Sequence, residues 1–310
     1  MKCLTLFHSR SWGVTSHYRK GTASGNWRGS FAAAEATQDS RSSPRETDKL
    51  QQVVNTGLHA IVALVVAIMF WRTADGRRLN LVVVFCAVLF SLPFGWENTL
   101  AGFQSSFYFL LLFSVLSLAL TVRRVGSAGW CLGWLCAVSS LVTTAGGLFT
   151  PFATGIAAVL RLITGRCTRR EASINLGMSA AVFGLGFSLV SPAISSTGVF
   201  VAQSSADFLT AFMSSLAWPW VDVHWMSVIV CMPLVALVVV MFLRRRTTTD
   251  QEVLIVVLGC WVAVQAAGLA YARGGGGAAP ASRYMDILSL GVVAMALIAL
   301  ADRLHTSRPA

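Results

Sequence analysis

From Val53 onward the chain is a succession of apolar runs divided by short polar breaks, without the polar face of an ordinary amphipathic helix. Roughly 20 helical residues cross a bilayer core. Runs of about that length predict helices over 53–71, 79–95, 104–122, 127–144, 148–164, 173–191, 224–243, 253–271 and 285–301. A helix satisfies its own backbone donors and acceptors in lipid, whereas barrel strands would be shorter and would alternate polar with apolar residues. The stretch from Val125 to Leu160 holds no charge. At about 1.5 Å per residue it is too long for one crossing and must fold back, with Gly146 and Gly147 as the turn. Pro192 is expected to end the sixth helix. The fold class is therefore all-α, a polytopic transmembrane bundle of about nine helices over 53–305. It follows a polar, disordered segment over 1–52 and precedes a short cytoplasmic tail over 306–310.

Composition supports this class. The chain of 310 residues is 55% hydrophobic and only 12% charged, against roughly 25% charged for an ordinary soluble domain. A net charge of +11 would suggest nucleic acid in a soluble protein. Here the basic residues instead occupy short loops between apolar runs, so no nucleic-acid partner is expected. Arg72, Arg77 and Arg78 follow the first helix, Arg123 and Arg124 the third, and Arg161, Arg166, Arg169 and Arg170 the fifth. Arg244, Arg245 and Arg246 follow the seventh, and Arg303 and Arg308 the last. The alternate loops 96–103, 145–147 and 192–223 hold no Lys or Arg; Arg273 and Arg283 in the eighth loop are the exceptions. Basic loops stay in the cytoplasm, which places the C-terminus there. The same rule puts residues 1–52 outside although they carry eight Lys or Arg residues. The sequence thus leads us to expect a truncated or altered N-terminus, lacking an upstream helix. Cys86, Cys131, Cys136, Cys231 and Cys260 lie in apolar runs without metal-ligand spacing, so they read as small lipid- or helix-facing residues. No cofactor is expected from the sequence, and the need for a metal is left open.

This topology gathers candidate chemistry on the outer side. Trp96, Glu97 and Asn98 follow the second helix; Glu97 reads either as a solvated loop acid or as a carboxylate that binds or deprotonates a sugar hydroxyl. Trp218, Trp220, Asp222, His224 and Trp225 end the longest outer loop. They read as an aromatic belt at the headgroups or as a carbohydrate platform. The eighth loop runs from Arg273 through four glycines, Gly274 to Gly277, to Ser282, Arg283, Tyr284 and Asp286. The glycines lack the Gly-Lys-Ser/Thr ending of a phosphate-binding loop and read as a hinge. Arg273 and Arg283 suit a phosphate or pyrophosphate; the alternatives are a lipid headgroup, or an ion pair of Arg283 with Asp286 at (i, i+3).

Several short motifs carry a resemblance. Val53-Val54-Asn55 with Leu58-His59, Pro93 to Asn98 with Gly102-Phe103-Gln104 and Phe107-Tyr108, and Ser282-Arg283-Tyr284 with Asp286 resemble a group of uncharacterised bacterial multispanning proteins. Those in turn are similar to the GT-C superfamily of membrane glycosyltransferases, which use polyprenyl-phosphate-linked sugars. The likeness covers about 50–305. It implies a bacterial inner-membrane bundle with its site at the outer face, and the bilayer and a polyprenyl-phosphate-linked sugar donor as partners; no catalytic base is carried over from it, and Glu97 is the residue-level candidate for substrate or base. Arg273, Arg283, Tyr284, Asp286, Trp96, Asn98, Trp218, Trp220, Asp222 and His224 would contact substrate. GT-C enzymes usually carry a catalytic acid in the first extracytoplasmic loop, after an initial helix. In residues 1–52, Glu35, Asp39, Glu46 and Asp48 match no such motif. Three functions stay open: a glycosyltransferase, a noncatalytic or degraded membrane subunit, and a lipid flippase or transporter.

Overall fold

The computed structural model describes residues 44–71, 76–92, 94–100, 104–189, 200–244, 248–276 and 280–305. Eleven helices make up the described residues. They are α1 (Pro44–Trp71), α2 (Gly76–Ser91), the short α3 (Trp96–Leu100), α4 (Ser105–Thr121) and α5 (Ala128–Leu141). After these come α6 (Phe149–Ile163), α7 (Arg169–Leu189), α8 (Ser205–Leu216), α9 (Met226–Arg244), α10 (Asp250–Arg273) and α11 (Met285–His305). A helix overlies each of the nine predicted segments, and α3 and α8 are additional. By length and composition, five described stretches can cross a bilayer: Lys49–Met69, Ala145–Ile163, Arg169–Leu189, Met226–Leu243 and Asp250–Arg273. The apolar α4 and α5 are shorter, at 17 and 14 residues. Among the described residues all regular structure is helical, and these candidate spans make the chain a multi-pass membrane protein by length and composition.

Burial ranks the helices. In α10, Val253 to Leu258 are buried without a break, and so are Trp261 and Val262. A helix that is apolar all round belongs in a core. Its spanning window is 67% buried, against 17% for those of α1 and α9, whose apolar faces are left for lipid. Helix α10 packs against α6, α8 and α11; α4 packs on α5, and α6 on α7. Lipid tails are as apolar as Leu, so small residues and interhelical hydrogen bonds hold such contacts. Ser114 and Thr150 hydroxyls meet at 2.6 Å between α4 and α6, and Trp130 Nε1 donates to Asn175 Oδ1 at 2.9 Å between α5 and α7.

The ends of the helices show where hydropathy alone falls short. Helix α1 starts at Pro44, ahead of the expected Val53, because hydropathy marks the apolar stretch and not the polar turns that continue it. Proline suits a first turn, where its missing N–H has no partner to lose. The Gly146-Gly147 turn is found as a 3-10 turn over Ala145–Leu148. A Cβ on Gly147 would collide with the Ser140 carbonyl, so only glycine fits this fold-back. Helix α7 ends at Leu189, and Pro192 lies outside the described residues. The span 192–223 is not a plain loop: α8 rises within it, started by a reciprocal cap between Ser204 and Asp207.

Contacts sort the described loops into two sets. At one end, Arg161 Nε meets Asp250 Oδ1 at 3.3 Å, and Arg166 Nε donates to the Thr248 carbonyl, joining the segment after α6 to the start of α10. At the other end, α3 joins the 282–286 turn, and residues 200–202 join 271–275. These are the groupings expected from alternating basic and non-basic loops.

Candidate functional site

The non-basic end of the bundle holds two adjoining features, a knot of buried polar groups and an apolar cavity. The knot centres on Asn98 in α3 and Asp286 at the start of α11, both buried. The Asn98 amide donates to Asp286 Oδ2 at 2.9 Å and to the Arg283 carbonyl at 2.8 Å. With both protons given to oxygens, the orientation of this amide is fixed by chemistry. Asn55 of α1 donates to the Asn98 carbonyl at 2.8 Å, and Thr99 and Tyr108 hydroxyls meet at 3.0 Å. His59 Nε2 donates to the Phe90 carbonyl at 2.7 Å, and its ring stands edge-on to Tyr108 at 5.3 Å. Tyr108 and His59 lie close enough to the Asp286 carboxylate to interact with it. Five helices, α1 to α4 and α11, thus meet at one polar junction. Such a junction is costly in an apolar surround unless its members find partners. Gly95 makes the approach possible, since a Cβ there would overlap the Asp286 carboxylate.

The cavity, of about 480 Å³, opens beside the knot between α4, the 145–148 turn, α10 and α11. Phe107, Leu110, Phe149, Leu269, Ile287 and Leu288 supply apolar wall. Gln265 closes part of it, donating to the Gly146 carbonyl at 2.9 Å. Arg273, Tyr271 and Tyr284 add polar tips. The Arg273 guanidinium lies over the Phe200 ring, 5.2 Å from its centre, while the residue itself is exposed. Tyr284 links cavity and knot: its ring meets Phe107 edge-on at 5.5 Å, and the Arg283 guanidinium lies over it at 5.6 Å. No Asp or Glu is among the described cavity-lining residues.

Against the sequence reading, the structure brings Asn98, Arg283, Tyr284 and Asp286 together and puts Arg273 at the cavity. The Asp286 carboxylate bonds Asn98, not the Arg283 three residues before it; in the 3-10 turn Ser282–Tyr284 the arginine side chain lies over Tyr284 instead. Glu97 is half-buried on α3, next to Asn98 in sequence, and does not line the cavity. Trp218 is a core residue, 3% exposed and edge-on to Phe94 at 4.8 Å, so it offers no open face to a sugar. Trp220 and Trp225 are 52% and 64% exposed, as are Asp222 and His224 largely; His224 Nδ1 lies 3.0 Å from Ser214 Oγ. The side chain of Trp96 lies outside the described residues. The glycines are no free hinge where described: Gly274–Gly276 form a 3-10 turn, Gly275 N–H donates to the Phe200 carbonyl at 3.0 Å, and Ala202 N–H donates to the Tyr271 carbonyl at 2.9 Å.

Asn55, Tyr108 and Ser282 stand in the motifs that carry the resemblance but are given no site role there, and Gln265 is given none either. Asn55 and His59 stand one helical turn apart on an apolar helix, a pattern that signals a polar partner inside the bundle. Among the described residues, Asn98 Oδ1, Ser282 Oγ and Arg283 Nε are buried without a hydrogen-bond partner, as is Gln104 Oε1 at the start of α4. No family model, curated protein or solved structure matches the chain.

Proposed function

We propose that this membrane protein binds a polyprenyl-phosphate-linked sugar at the non-basic end of the bundle and serves in transfer of that sugar. The observation that carries the reading is the apolar cavity with Arg273 at its wall and Arg283 stacked on the shared Tyr284. An apolar wall takes a lipid chain, and a guanidinium suits the phosphate at its head. The positive-inside rule assigns this end to the outer face of the cytoplasmic membrane. In the transfer, an acceptor hydroxyl oxygen attacks the anomeric carbon and the bond from that carbon to the phosphate oxygen breaks. The lipid phosphate leaves with its charge against arginine, and the hydroxyl proton goes to a base. Glu97 is the carboxylate we assign to that role.

A second reading has its own support. The described cavity wall carries no carboxylate, which suits a subunit that holds or moves a lipid phosphate without transferring the sugar. One experiment separates the two. Protein in nanodiscs is given radiolabelled undecaprenyl-phosphate sugars, and binding and transfer to acceptor are read separately. The transferase reading expects both activities, with binding weakened about tenfold or more in Arg273→Ala and transfer lost in Glu97→Gln. Binding with no transfer in the wild type leaves the noncatalytic reading. No binding of any undecaprenyl phosphate removes both.

A further inference from the structure

The turn that joins α5 to α6 stops short of the level at which α10 ends. Gln265 of α10 donates from Nε2 to the Gly146 carbonyl of this turn at 2.9 Å. Arg273 ends the same helix about 12 Å further along its axis, at about 1.5 Å per residue. Gln265, Leu269 and Arg273 follow one another at i, i+4 spacing, and all three line the cavity. The cavity is therefore a bowl, with the turn and Gln265 at its floor and Arg273 at its rim.

The backbone of the sunken turn is answered from within. Gln265 serves the Gly146 carbonyl, Ser140 Oγ donates to the Gly147 carbonyl at 3.2 Å, and Gly147 N–H donates to the Thr144 carbonyl at 2.9 Å. Two side-chain groups are left over. Gln265 is 7% exposed, and with Nε2 committed its Oε1 can only accept. Oε1 accepts nothing from the described residues, yet it is not one of the atoms sealed away from solvent, so it opens on the cavity that the residue lines. Thr144 lines the cavity too, and its hydroxyl makes no capping bond at the head of the turn.

The group that meets this floor is constrained by what surrounds it. Arg273 at the rim is the one charged residue among the described lining residues, so an ion at the floor would lie uncompensated between apolar walls. The group must be neutral, and it must donate, because Gln265 Oε1 cannot. A hydroxyl meets both conditions: it gives its proton to Gln265 and exchanges a second bond with Thr144.

We infer that Thr144 and Gln265 form a subsite for an uncharged hydroxyl group, and that the cavity takes an amphiphile whose hydroxyl lies about 12 Å from an anion held by Arg273. This goes beyond the lipid-phosphate reading and shares only Arg273 with it, since the hydrocarbon of a polyprenyl chain has no proton to give the floor.

The test measures binding of two acids to full-length protein in nanodiscs, against empty nanodiscs. They are decanoate and 10-hydroxydecanoate, whose extended chain matches the separation of floor and rim. The hydroxy acid is expected to bind about fivefold more tightly, the worth of one hydrogen bond. In a bowl without a polar floor the order would reverse, because burying an unpartnered hydroxyl is costly. The shorter pair, hexanoate and 6-hydroxyhexanoate, should show no such gain, because it cannot span both ends. Thr144→Val should at least halve the preference without lowering the melting temperature, because that hydroxyl has no internal bond to lose. Gln265→Met should abolish the preference and lower the melting temperature, because the Gly146 carbonyl loses its donor. Arg273→Met should weaken both ten-carbon acids alike. Decanoate binding as tightly as 10-hydroxydecanoate overturns the subsite, and so does a preference unchanged in Thr144→Val and Gln265→Met. An equal gain in the shorter pair overturns the spacing. Failure of both ten-carbon acids to bind overturns the inference, whatever undecaprenyl phosphate does.

Discussion

The two ends of the bundle handle polar groups in opposite ways. At the arginine-rich end, Arg161 pairs with Asp250, which is half exposed, and Arg166 caps the Thr248 carbonyl. Thr249 and Glu252 exchange hydrogen bonds at the start of α10, and Thr168 and Glu171 do the same at the start of α7. Near this end only Thr248 Oγ1 and, one turn inside α4, Ser117 Oγ are described side-chain atoms buried without a partner. At the opposite end the bonds run between residues far apart in sequence, 188 positions in the case of Asn98 and Asp286. Several buried atoms there are left over. One end is joined through exposed and part-buried groups beside its local caps; the other is held by a buried long-range bond and keeps several buried atoms without partners. Helix ends that serve only the fold need nothing beyond the first pattern, so the second is where function is to be sought.

Three substitutions test this contrast. The largest effect is expected of Gly147→Ala at the fold-back beside the cavity. The new Cβ would strike the Ser140 carbonyl, a main-chain atom that cannot swing away. A loss of about 3 kcal/mol is expected, the upper range for overpacking, read as a fall in the unfolding midpoint. An unaltered midpoint would show that the turn is not as tight as described. Next is Asn98→Ala, which removes two donated bonds and leaves the Asp286 carboxylate without that donor. About 2 kcal/mol should be lost. A chemical-exchange or crosslinking probe on α3 should report its release from the 282–284 turn, and no release would dissolve the knot as a structural element. The smallest effect belongs to Asp250→Asn at the other end. An ion pair with one partner 51% exposed contributes on the order of 0.5 kcal/mol. A cost of several kcal/mol there would erase the distinction between the ends.

Much of the frame was legible because lipid imposes a simple rule. Apolar runs and alternating arginines located nine helical segments and grouped the loops, and the Gly146-Gly147 turn followed from a charge-free stretch too long for one crossing. Helix α8 was passed over because hydropathy does not register a short helix outside an apolar run, although Ser204 and Asp207 have the spacing of a cap. The candidate site was half legible. Polar residue types picked out Asn98, Arg273, Arg283, Tyr284 and Asp286, but the Arg283–Asp286 pair that spacing allowed is not formed, since Asp286 bonds Asn98 and Arg283 lies over Tyr284. The burial of Trp218 against Phe94 depends on tertiary packing that no local pattern encodes. Ser282 stands in a motif of the sequence, but the burial of its hydroxyl without a partner depends on the fold and is not legible from spacing.

The arrangement at position 283 separates backbone from side chain. The junction is fastened through a carbonyl that every amino acid possesses, so this bond does not depend on which side chain is attached there. The same fastening makes position 283 a natural place to install a photoreactive or fluorescent amino acid, a reporter set against the Tyr284 ring.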